Sequence, residues 1–304
     1  MFAGPGAEAN ERVRSLAVPE LPEVEITVRR LAAALERAEV ESVLSPGMVA
    51  MKSVDPPLGA LPGRAVAGVR RVGKMPVVEF AADGDGTPLA LLVHLMSAGR
   101  LQLFEKRASL RDRTARLLIR LLDGRELRLR EFGKKQRAWA KLMPIEAVAD
   151  DEMVATLGPE AWPAPPLEDF AAAVSHSRHL HPLLRDQRAI AGIGRSWVDE
   201  ILWDARLSPF KQGSELTADE IGRLHAALHV LGDAVEHYEE VIGETVPDKM
   251  PMPLRVHRRQ GEACPRCGTT LAAVHFAEHV TTYCPEEQTG GRVLKDRRLS
   301  RLLK

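Results

Sequence analysis

The sequence predicts an α+β protein, and three observations carry that reading. Residues 39–143 read as strands, the chain beyond residue 169 changes to a helical period, and all three cysteines fall within residues 264–284. A chain of 304 residues has room for two domains. Lys plus Arg and Asp plus Glu balance at 42 each, so net charge by itself points to no partner. Its distribution says more. Residues 255–304 hold ten Lys/Arg against five Asp/Glu, an excess of five positive charges where a polyanion could be met. No apolar stretch approaches the roughly 20 residues of a membrane span. Three clustered cysteines do not make a disulfide framework; they imply a reduced, cytoplasmic compartment and a metal.

The elements follow in order. Met1–Leu16 has no apolar run, so it is neither a secretory leader nor an anchor. Pro22 pre-sets a first helical turn, Glu23 and Glu25 suit its positive end, and Val24, Val28, Leu31 and Leu35 share a face, which predicts a helix over 22–38. Leu89–Leu95 is a short apolar strand behind Pro88. Arg116–Leu122 and Glu126–Arg130 flank Asp123-Gly124, a strong hairpin turn. Proline, alanine and acidic residues dominate 144–168, read as a linker. Val198, Ile201, Leu202 and Ala205 predict a helix that stops at Ser208-Pro209. Thr217-x-x-Glu220 is a capping box that opens another, running through Ile221, Leu224, Leu228 and Leu231. The last fifty residues are too few for an apolar core and suggest a metal-stapled module.

Three runs carry chemistry. Val18 is followed by Pro19-Glu20-Leu21-Pro22-Glu23-Val24-Glu25. The helix reading explains Pro22 onward but not Pro19 and Glu20. Gly192 and Gly194, within Asp186–Glu200, precede a helix whose first N–H groups suit phosphate. Cys264-Pro-Arg-Cys267, sixteen residues, then Cys284-Pro-Glu-Glu287 has the spacing of a tetrahedral metal site, with a carboxylate at the fourth position and His275 or His279 as nitrogen alternatives. No Gly-rich loop suggests a nucleotide cofactor.

Together these runs resemble, in order and across residues 19–304, the formamidopyrimidine-DNA glycosylase / endonuclease VIII family. In that family proline follows the initiator methionine and is the nucleophile. The resemblance implies an N-terminal β-sandwich (19–145), a linker (146–168), a helix–two-turns–helix domain (169–250) and a zinc-finger-like β-hairpin module (255–304). It implies a monomer that holds double-stranded DNA in the cleft between its halves, excises an oxidised base and cleaves the abasic strand. Pro19 would attack the sugar, Glu20 would move protons and Glu23 would orient the terminus. Lys74 and Arg195 would hold phosphate, and Met96 would fill the gap left by the extruded nucleotide. His279, where the family has an arginine, and Arg292 would meet the backbone. One structural zinc would sit on Cys264, Cys267, Cys284 and Glu287. The chain departs from the family at Arg195, which replaces an asparagine. It departs again at Ser97, which takes the usual wedge column, and at Glu131–Trp139, which replaces the Asp-Pro-Arg-Arg-Phe-Gly turn.

Pro19 raises a chemical conflict. Inside a chain its nitrogen is a tertiary amide with no usable lone pair, whereas a terminal proline is a secondary amine able to form an iminium. An α-amino group titrates near ~8 against ~10.4 for lysine, so the terminus presents on the order of a hundredfold more free base. The expectation is that residues 1–18 are absent from the working protein, with Val18 at the place of an alternative initiator. Two other readings stand beside it: a binder of damaged or abasic DNA whose proline is blocked, and an enzyme with mainly AP-lyase activity.

Overall fold

The computed structural model describes residues 18–294 apart from 48, 85, 110, 134, 277 and 278. The expected extension ahead of Val18 and the basic tail beyond Leu294 lie outside the described residues. The chain divides into two compact units, one running to Thr156 and including Val235–Pro251, the other formed by Leu157–Ala234 and Met252 onward.

The first unit is a β-sandwich with a helix. Helix α1 spans Leu21–Leu35. One sheet orders β1 (Val40–Leu44), β6 (Ala115–Leu121), β7 (Glu126–Glu131) and β5 (Gly99–Phe104); the other orders β2 (Val66–Val72), β3 (Met75–Phe80), β4 (Leu89–His94) and β8 (Trp139–Pro144). Every ladder is antiparallel. The Asp123-Gly124 hairpin sets Leu117 opposite Leu129 and Ile119 opposite Leu127, all in the core. Gly124 takes the turn's left-handed φ of 94°.

The α1 face expected from the sequence, Val24, Val28, Leu31 and Leu35, is buried in that same core. Fifteen residues are marginal as a free helix, so this packing, roughly 1.5–3 kcal/mol for each large apolar side chain, is what holds α1. The helix ends three residues short of the expected Ala38, because Arg37 turns left-handed (φ 57°) and donates its N–H to the Val66 carbonyl.

The expected linker carries local structure: a 3-10 turn at Ile145–Val148, α2 (Glu152–Ala155) and a bridge from Glu160 to Ala191. In the second unit α3 (Leu167–Val174), α4 (Leu180–Leu184) and α5 (Arg195–Asp204) precede α6 (Ala218–Ala226) and α7 (His229–Val241). The Thr217–Glu220 capping box is present. Its helix breaks at Ala227-Leu228, where i→i−3 bonds such as Leu228 N–H to the His225 carbonyl replace the helical ladder. Residues of α7 from Val235 belong to the first unit. The C-terminal hairpin pairs β9 (Ala272–Phe276) with β10 (His279–Tyr283) and ends in α8 (Pro285–Thr289).

Two buried carboxylates on α5 anchor this module. Glu200 accepts the N–H groups of Arg255, Val256 and His257 at 3.0, 2.9 and 2.8 Å. Asp199 takes His257 Nδ1 at 2.7 Å and the Thr282 N–H at 3.0 Å. Among the described residues no helix is long and apolar enough to cross a membrane.

The β4–β5 turn has one steric requirement. Gly99 donates its N–H to the Leu95 carbonyl at 2.8 Å, and a Cβ added there would stand 2.3 Å from that oxygen. Gly99→Ala is expected to destabilise the protein by about 1–3 kcal/mol, read as a lower denaturation midpoint at unchanged slope; an unshifted midpoint would show that the turn relaxes freely.

Candidate active site

The start of α1 gathers three expected residues. Pro19 is buried, Glu20 stands at the N-cap (1% exposed), and Glu23 lies one turn in (3% exposed). Glu20 and Glu23 form a reciprocal capping box, with the Glu20 N–H donating to Glu23 Oε2 at 2.9 Å. Pro22 costs nothing in this first turn, where an N–H has no helical partner. The other Glu23 oxygen accepts the Tyr238 hydroxyl at 2.6 Å. A cavity beside Pro19 and Glu23 is lined also by Thr27, Arg100, Gln102 and Met250. Burial holds the Arg100 guanidinium below its usual range against the opposing pull of Asp248 and Glu23. Segment 246–250 is tied over β5: Gln102 Nε2 donates to the Val246 carbonyl at 2.7 Å, and Arg100 Nε to that of Asp248 at 3.0 Å.

Lys74, expected on a strand, sits instead in the β2–β3 turn, half-buried, after Gly73 at φ 57°. Its charge reaches His94, a residue given no role from the sequence. His94 stacks on its cross-strand partner Trp139 (centroids 5.2 Å apart), and its Nδ1 accepts the Met96 N–H at 3.0 Å. Burial first, then Lys74, keeps the imidazole below its usual range. Met96 takes a left-handed φ of 51° and is half-buried, while Ser97 beside it is exposed. The residue expected as the apolar wedge and the most exposed position of this turn are therefore different.

Arg195, His279 and Arg292 belong to the second unit. Gly192 takes φ 100°, and Gln187 braces the turn, accepting the Gly192 N–H at 3.0 Å and donating to the Ile193 carbonyl at 2.9 Å. Gly194 is the N-cap of α5, so Arg195 is its first residue, exposed beside the first backbone N–H groups of the helix. His279 opens β10, half-buried, and Arg292 is exposed behind Gly290 and Gly291. Backbone donors and arginine at one helix start can hold an anion.

Cys264, Cys267 and Cys284 converge, their sulfurs within 4.8 Å of one another. The Trp203 indole donates to Cys264 Sγ at 3.3 Å. Burial opposes ionisation of Cys264, but donors from the Cys267 backbone and Trp203 outweigh it and bring the thiol down to about 7. Cys284 is pushed up to about 12, by burial first and by the neighbouring sulfurs.

Among the described residues Glu287 is not part of this cluster. Its carboxylate pairs with Arg206 at 3.0 Å and Arg266 at 3.2 Å. Arg266 also stacks on Trp203, 4.1 Å from the ring centroid, and pairs with Asp204 at 3.4 Å. Two guanidiniums compete directly with any metal for that carboxylate. Neither His275 nor His279 enters the cluster. Three thiolates nonetheless suit zinc, a borderline-soft ion that binds sulfur well.

Residues 18–135 match the formamidopyrimidine-DNA glycosylase N-terminal domain, 157–245 that family's H2TH domain, and 261–286 the zinc finger found in FPG and IleRS. A formamidopyrimidine-DNA glycosylase of Roseiflexus sp. (strain RS-1) is 31% identical over 284 residues, 89% of this chain and 100% of that one. The chain belongs to the formamidopyrimidine-DNA glycosylase / endonuclease VIII family. Among solved structures, Lactococcus lactis Fpg in a complex with abasic-site DNA superposes with a TM-score of 0.77 at 25% identity, covering 89% of this chain and 99% of that one. MutM in complex with carbocyclic 8-oxo-G DNA follows at 0.76 and 26%, covering 89% and 100%. Within the family fold, Tyr238 and Arg100 are the neighbours of the α1 start that no local motif signalled.

Two outcomes follow. Folding disfavours the His94 imidazolium, so the unfolded chain binds that proton more tightly; this stability is complete above about pH 6.5 and declines as pH falls through the folded midpoint. NMR titration is expected to place His94 below 6.5, and Lys74→Met to raise it; an unchanged midpoint separates the two residues. Glu287→Gln is expected to leave zinc content unchanged while lowering stability by about 1 kcal/mol or less, as partly exposed ion pairs do. Cys284→Ser, in contrast, should lose the metal. Zinc loss from Glu287→Gln in elemental analysis would reinstate the carboxylate as a ligand.

Proposed function

We propose that this chain is a DNA glycosylase of base-excision repair that also cleaves the abasic strand, through an imine on Pro19. The observation that carries the reading is a buried proline at the start of a helix, beside two buried carboxylates, in a chain of this family. The relatives' names and the damaged DNA held by the solved neighbours support the substrate class.

The chemistry needs the Pro19 nitrogen as a free secondary amine, hence a working protein from which residues 1–18 are absent. One observation supports this: the family match begins at residue 18. The amine attacks C1′ as the base leaves, protonated, and Glu20 supplies the proton to the ring oxygen. The resulting iminium accepts the electrons released when a C2′ proton is removed. The C3′–O bond then breaks, and removal of a C4′ proton releases the electrons that break C5′–O in turn. Water hydrolyses the imine and restores the amine. The base has to leave the stack before a buried amine can reach its sugar. Glu23 holds the backbone of Glu20, and Lys74 and Arg195 meet phosphates, with Met96 in the gap. Zinc on Cys264, Cys267 and Cys284 would be structural, stapling the module that carries His279 and Arg292. The protein acts as a monomer on duplex DNA in the cytoplasm.

A second reading has its own observation: with Val18 retained, Pro19 is an amide, and the chain binds abasic DNA without cutting it. Borohydride trapping on an abasic duplex separates the two. A covalent adduct is expected from protein that begins at Pro19 and none from protein retaining one preceding residue. Equal trapping by both would make a lysine the nucleophile and remove Pro19 from the mechanism.

A further inference from the structure

The Glu23 carboxylate is the junction between the catalytic terminus and a distant part of the chain. One oxygen takes the Glu20 N–H at 2.9 Å, and the other takes the Tyr238 hydroxyl at 2.6 Å, from 215 residues away in sequence. Tyr238 is fully buried on α7, in the stretch that groups with the first unit. Its neighbour Glu239 clamps α7 to α1, pairing with Arg30 at 2.7 Å and Arg29 at 3.3 Å, while Arg30 also donates to the Glu239 and Ile242 carbonyls. The tyrosine therefore meets Glu23 with its helix already held in register.

We propose that Tyr238 is a positioning residue for the proline nucleophile: its hydroxyl fixes the Glu23 carboxylate, and through it the Glu20 amide on which the orientation of Pro19 depends. The pyrrolidine ring removes one backbone freedom, so the nitrogen's direction relative to α1 is left to the Pro19 ψ torsion. The Pro19–Glu20 peptide plane is one end of that torsion, and the Glu23 oxygen holds its N–H. A carboxylate with a single anchor can swing about its terminal torsion; one tied at both oxygens cannot. Among the described residues, the charged and titratable groups that act on it include Glu20 at the N-cap of α1, Arg100 on β5 and Tyr238 on α7. Burial, then the Glu23 and Glu20 charges, raise the phenol far above its usual range, so it donates at every working pH.

The kinetic part of this inference rests on the proposed glycosylase and lyase chemistry; the structural part does not. In the full chain carrying 13C-labelled glutamate, Tyr238→Phe is expected to raise the Glu23 titration midpoint by about one unit, because a donor to the ionised form is lost. With protein from its own host, the same variant should cut abasic duplex with kcat about tenfold lower, the loss of one hydrogen bond to a charged group. KM should stay within about twofold, since no contact to DNA is removed. Should Tyr238→Phe fail to fold, Glu23→Gln replaces it, and the Tyr238 Cζ resonance must move. An unmoved Glu23 midpoint, an unmoved Cζ resonance, or a raised KM at unchanged kcat each overturns the proposal. If the unmodified protein traps no abasic DNA, the lyase reading fails, and the Glu23 titration alone decides the role of Tyr238.

Discussion

A carboxylate buried at the start of a helix has to be met by donors, and Glu23 sets that demand for the first unit. Removing an ionised group from water costs several kcal/mol unless hydrogen bonds replace the lost hydration. Here the α1 N-terminus supplies one donor and Tyr238 another, and the positive helix end adds to both. Each donor brings its own part of the chain with it. The Glu20 amide brings Pro19, and Tyr238 brings the second half of α7. The arrangement that satisfies the charge is thus the one that places a proline, two carboxylates and a phenol together.

The C-terminal module meets a related demand differently. Three sulfurs gather, yet the carboxylate at the fourth sequence position is claimed by Arg206 and Arg266. Arg266 sits between two of the cysteines in sequence, stacks on Trp203, and Trp203 in turn donates to Cys264. An ion-pair and aromatic network therefore engages the carboxylate at the fourth sequence position. Asp199 and Glu200 on α5 hold the root of the same module by backbone donors. The hairpin is consequently fastened to α5 independently of any metal.

Much of the architecture was legible in one dimension. The α1 apolar face, the Asp123-Gly124 hairpin and the Thr217–Glu220 capping box are local patterns, and local patterns survive without knowledge of neighbours. The misreadings were also local in origin. The α1 end and the break at Ala227-Leu228 carry no glycine or proline, so no residue type announces them. Lys74 lies within the stretch read as strands, but a turn of only two residues, Gly73 and Lys74, interrupts it there.

By itself the sequence determined the class of the protein and the residues able to do chemistry: a proline that is useful only as a terminal amine, two glutamates one helical turn apart, and thiolates at finger spacing. Those are properties of residue type and of separation along the chain. Only the tertiary structure decided who their partners are. Tyr238 lies 215 residues from Glu23, and Arg206 and Arg266 reach Glu287 across 81 and 21 residues; no periodicity links such pairs. Hydrogen bonds and ion pairs depend on distances of about 3 Å, and sequence separation does not encode distance once the chain has folded back on itself.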